Sequence, residues 1–63
     1  MHEFSMVQSI VELVKAEMGK RQVIKVTEIN LDVGELTFLS HDAMQFAFQA
    51  LTETEDKINN DAL

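Results

Sequence analysis

The sequence predicts an α+β fold ordered helix–strand–helix, and three observations lead to it. Apolar residues recur at helical spacing in two separate stretches, residues 4–18 and 41–52. Between them, residues 23–33 alternate apolar and polar side chains over their second half, the period of a strand. Gly19, Gly34 and Ser40 stand where elements of these lengths should begin or end.

In residues 4–18 the core-facing stripe is Val7, Ile10, Val11, Val14 and Met18. Met6 and Leu13 widen it on one side and Phe4 on the other, with Gln8, Ser9, Glu12 and Lys15 opposite. Ser5 followed by Gln8 fits a capping box. Gly19 suits the left-handed position after a helix, and Lys15, Lys20 and Arg21 suit the negative end of its dipole.

The expected strand, residues 23–33, has a parity break. Ile29, Leu31 and Val33 fall on one face, and Ile24 and Val26 on the other. Either a bulge lies near Thr27, or the first half is buried on both faces. Gly34 ends the run. A lone strand leaves both edges unpaired, so this one is expected to pair with another chain, or with strands that this sequence lacks.

The second helix, residues 41–52, has Ser40 as its N-cap and Asp42 in its first turn. Met44, Ala47, Phe48 and Leu51 form its main stripe. Phe46, with Ala43 and Ala50, spreads apolar surface to another side, as on a helix covered twice. Residues 53–63, rich in acids and weak in periodicity, read as an acidic tail or linker.

Composition bounds the function. A chain of 63 residues buries only roughly 60% of its unfolded surface. It has no cysteine, so neither a disulfide nor a thiolate zinc site can support it. A second copy is the remaining support, and a homo-oligomer is expected. The net charge of −6, with five Lys and Arg, argues against nucleic-acid binding. The longest apolar run is three residues, too short for a membrane span. A cytoplasmic protein is expected, because no basic stretch leads into an apolar block at the start.

The chemistry concentrates at Met1, His2 and Glu3. The α-amine, the main-chain nitrogen of His2 and the His2 imidazole can form adjoining chelate rings around one ion. The main-chain nitrogen of Glu3 can complete a plane. Planar nitrogen donors suit Ni²⁺ or Cu²⁺, whereas Zn²⁺ prefers a tetrahedron. On spacing alone, the commoner reading of His2 is a residue on a mobile end. Glu3 is either an outer-sphere carboxylate or a first-turn acid, and the sequence does not separate the two. His41 reads as an exposed first-turn residue rather than a second ligand, and Asp42 as a partner of the helix dipole. The methionines fall mostly on helical stripes and read as core. There is no G-x-S-x-G signature and no phosphate-cradling glycine loop, so no enzyme is expected.

Several segments together resemble the HypA/HybF family of hydrogenase nickel-insertion accessory proteins. They are M-H-E-F-S-M at the start, S-I-V-E-L-V at 9–14, V-T-E-I-N-L-D-V-G-E-L at 26–36 and D-A-M-Q-F-A-F-Q-A-L-T at 42–52. The resemblance implies a nickel metallochaperone, with Ni²⁺ as cargo on Met1, His2 and Glu3. It implies residues 1–52 as a nickel-binding lobe that is incomplete, because the family's later strands and zinc lobe have no counterpart here. The family's two C-x-x-C pairs are absent, so its structural zinc is not expected. As partners it implies the nickel GTPase HypB and the large subunit of [NiFe]-hydrogenase, with urease as a further target.

Overall fold

The computed structural model describes residues 2–32, 34 and 39–63, with His2 described by its backbone. Two helices form, α1 (His2–Arg21) and α2 (His41–Thr52). Among the described residues there is no strand. The fold is therefore helical, and the expected α+β class with a strand at 23–33 is corrected.

The first helix runs past both expected ends. Glu3 lies in its first turn and Lys20 and Arg21 in its last, each at the favourable pole of the dipole. Ser5 is not the cap. It sits inside the helix, where its carbonyl accepts from Ser9 Oγ at 3.2 Å. Gly19 is not the terminator either. The left-handed residue is Gln22, with φ of 53°. The Val23 amide then donates to the Met18 carbonyl at 3.2 Å, the closing bond of a Schellman motif. Glu17 holds the last turn through Arg21 at 3.2 Å and Lys20 at 3.9 Å.

The second helix keeps its expected bounds and its cap. Ser40 is extended (φ −88°, ψ 122°) and its hydroxyl accepts from the Ala43 amide at 3.2 Å. Met44, Ala47 and Phe48 are buried, as is Thr52, while Leu51 is only half-buried.

The core joins Val7 and Val11 of α1 to Met44, Ala47 and Phe48 of α2, with Ile58 and Ala62 from the chain's end. Farther along α1, Lys15 reaches Glu55, just past the end of α2, at 2.8 Å. The two helices therefore run in the same direction. The longest dimension, 35 Å, is set by the 20-residue α1, which is about 30 Å long.

Residues 23–32 follow α1 without regular secondary structure, apart from one bridge residue. Val26 and Ile29 pack on the core, three residues apart, while Ile24 is 86% exposed and Leu31 39% exposed. A pleated strand would turn every second side chain inward. Val33, which closed the expected strand, and Glu35 lie outside the described residues. The backbone partner is residues 57–62 of the same chain. Val26 donates to the Lys57 carbonyl (2.7 Å) and accepts from Asn59 (2.8 Å), and Ile29 donates to the Ala62 carbonyl (2.8 Å). The partner segment is itself a succession of turns, with Ile58 bonded back to Glu55 (3.3 Å) and Ala62 back to Asn59 (2.9 Å). A turned segment offers no continuous edge, so pairing stops at one parallel bridge, Val26 with Ile58. Gly34 takes a positive φ of 66°, and its amide donates to Asp32 Oδ1 at 3.2 Å.

Residues 53–63 are irregular in backbone yet packed. Ile58 and Ala62 are 3% and 4% exposed. Asn60 Nδ2 donates to the Gln49 carbonyl (3.0 Å) and to Thr52 Oγ1 (3.1 Å), and Thr52 Oγ1 donates to the Phe48 carbonyl (2.7 Å). The buried threonine is thus satisfied on both sides.

Candidate metal site at the amino end

The three residues singled out for metal binding fall differently. Met1 lies outside the described residues, as does the side chain of His2. The backbone of His2 opens α1, and Glu3 is half-buried in its first turn. An α-helix leaves its first four N–H groups without an intrahelical acceptor. The main-chain nitrogens of His2 and Glu3 belong to that set. Neither has to surrender a helical hydrogen bond in order to lose its proton to a metal.

Phe4 fixes where this end sits, because it packs against the core beside Val7. Since α1 and α2 run in parallel, Ser40, His41 and Asp42 lie at the same end of the molecule, and His41 is exposed there. Periodicity within each helix carries no signal for this neighbourhood, because it follows from the direction of packing.

Among the described residues, no group of three or more His, Cys, Asp or Glu side chains gathers into a metal cluster. The donor set that the sequence offers is of another kind, with one imidazole and the main-chain nitrogens around it. The shifted titration lies at the other end of α1. Lys15 is raised above the ordinary lysine range, first by its hydrogen bond to Glu55 and then by that carboxylate's charge.

Comparison with known proteins agrees with the motif. The family described as hydrogenase/urease nickel incorporation, metallochaperone, HypA matches residues 1–63. A hydrogenase maturation factor HypA from Methanocaldococcus jannaschii is 45% identical over 58 residues, which covers 84% of this chain and 47% of that protein. The HypA from Caldanaerobacter subterraneus is 42% identical over 53 residues, covering 84% of this chain and 46% of its own. The HypA from Geobacter metallireducens is 42% identical over 52 residues, covering 82% and 44%. The chain spans about half the length of the curated relatives it matches. No solved structure matches it. The family description is that of a carrier, not a catalyst. With its match running from Met1 through Leu63, this chain belongs to the HypA family of hydrogenase and urease nickel-incorporation metallochaperones.

Proposed function

We propose that this chain carries Ni²⁺ at its amino end and gives it up to a hydrogenase under maturation. The observation that carries the reading is Met1-His2-Glu3 at the start of a chain matched throughout by a nickel-incorporation family. The ligands are the α-amine, the main-chain nitrogen and imidazole of His2, and the main-chain nitrogen of Glu3. Four nitrogens in a plane select Ni²⁺ over Zn²⁺. Two of them are amidates once the ion is bound, so the loaded site carries no net charge and does not oppose the positive pole of α1.

Release by ligand exchange needs open access, which a site at the very start of a helix favours. Within the cytoplasm, the carrier works with the nickel GTPase HypB and the hydrogenase large subunit, and urease is a second recipient. Residues 1–52 form the nickel-binding lobe, and 53–63 pack back against it.

Calorimetric titration of untagged protein with Ni²⁺ tests the site. Wild type should bind one ion, more tightly as pH rises through about 6.5 and 8, where imidazole and α-amine lose their protons. His2→Ala should lose that binding. Equal affinities would remove the site.

Self-association is a second reading, favoured by Leu13 at 63% exposure. A protomer mass at high concentration in sedimentation equilibrium would exclude it.

A further inference from the structure

Two locally unfavourable choices fall on one stripe of α2. Phe46 is 72% exposed, while Phe48 on the opposite side is fully buried. Glu53 continues the helical backbone as C-cap (φ −55°, ψ −37°), so its carboxylate sits at the negative pole with no basic residue in the last turn. Asp42, Phe46, Ala50 and Glu53 are spaced four, four and three apart, and so line one side of the helix. Acids therefore stand at both ends of an apolar strip.

The surroundings have the same polarity. No Lys or Arg occurs between Lys25 and Lys57. A groove of about 550 Å³ beside the strip is lined by Phe46, Gln49, Ala50, Glu53 and Asn60. The Asn60 amide nitrogen is already engaged with Gln49 and Thr52, so the charge on offer here is the Glu53 carboxylate.

We propose that this stripe docks a partner protein segment bearing an apolar side chain flanked by lysine or arginine. The apolar group would sit over Ala50 beside the Phe46 ring, and the flanking cations would reach Asp42 and Glu53. Groove recognition by spaced apolar anchors is a common mode, and charge at the rim sets register. A second copy laid on the same stripe is disfavoured, because it would bring Asp42 and Glu53 against their counterparts and join two chains of net charge −6.

The chain has no Trp and no Tyr, so a tryptophan on a probe reports binding without background. The probe is a synthetic amphipathic helix of leucine and lysine with one tryptophan, and its companion has glutamate for lysine. Wild type should saturate with the lysine peptide at one to one and blue-shift its emission, and should ignore the glutamate peptide. Phe46→Ser should weaken binding by roughly tenfold or more, the worth of one large apolar contact. Ile24→Ser removes another exposed apolar side chain without changing charge, and should bind as wild type does. Circular dichroism checks that both variants keep their helices. Unchanged binding by Phe46→Ser, or equal losses in both variants, would overturn the proposal. So would a wild-type dimer that Phe46→Ser dissociates, because the stripe would then belong to a second copy. No nickel enters the test, so its outcome is separate from that of the carrier site.

Discussion

Gln22 pays for a backbone that glycine would adopt freely. The left-handed region costs a residue with a Cβ roughly 1–2 kcal/mol, and Gln22 sits there at φ 53°. Three residues earlier, Gly19 lies inside α1 with open space where a Cβ would go. Glycine inside a helix costs roughly 0.5–1 kcal/mol relative to alanine. Gly19→Ala should therefore stabilise the protein by about that amount, and Gln22→Gly by a few tenths to about 1 kcal/mol. For a domain this small, each kcal/mol raises the melting temperature by roughly 4–8 °C. A fall in either variant would show that the terminus is held by something other than Gln22. Reading Gly19 as the terminator was sound as a rule of composition, but the choice of end was made by Val23 folding back on Met18. At the amino end, the proposed chelation by the main-chain nitrogens of His2 and Glu3 would make the ψ of His2 a torsion of the metal ring. Helical ψ is about −42° and a flat ring needs a value nearer zero, so that loading would loosen the first turn of α1. Phe4, packed on the core, limits how far that loosening spreads.

At the level of elements, α2 was legible and the 23–33 stretch was not, for one reason. A capped helix is a local object. Ser40, Asp42 and the Met44, Ala47 and Phe48 stripe lie within a few residues of one another, and each supports the same element. A strand exists only against another backbone, and the sequence of 23–33 does not say which. The backbone it met, 57–62, is built of turns, so the alternation that includes Ile29 and Leu31 did not become a pleat. The docking of 53–63 was equally hidden, because Ile58, Ala62 and Asn60 show no period. Asn60 adds a side-chain donor to the Gln49 carbonyl in the last turn of α2. Asn60→Ala should cost about 1 kcal/mol, read from the shift in a urea midpoint. No shift would mean that water replaces the amide. The Lys15–Glu55 pair ties the same segment to α1. The Lys15 pKa is raised, so the pair's contribution is full below the ordinary lysine value of about 10.4 and is lost as pH climbs through the raised one. The stability gap between wild type and Glu55→Gln should stay level from neutral pH to about 9 and close above 10.4. It should also shrink in about 1 M salt, because both side chains are partly exposed. A gap that persists at high pH would assign the effect to packing.

Across the whole molecule, the cations keep to one end, where Glu17 and Glu55 pair with some of them. Lys15, Lys20, Arg21, Lys25 and Lys57 supply all the Lys and Arg. They gather where α1 ends, since Lys57 bonds Val26 and Lys25 bonds the Asp56 carbonyl at 2.9 Å. The opposite end carries Glu3 and Asp42, in the first turns of α1 and α2. A field of that sign draws a divalent cation toward the residues proposed to hold it, and weakens with salt. The residues proposed to hold the ion come from the first three letters of the chain, while the meeting of Glu3 and Asp42 at one end depends on parallel packing that no single helix reveals. The central claim is that a free amine, one imidazole and main-chain nitrogens form the nickel site. Nα-acetylation of the folded protein, followed by the visible absorption of bound Ni²⁺, tests it most directly. The unmodified protein should show the band of square-planar nickel and the acetylated one should lose it. An undiminished band after acetylation would contradict the account.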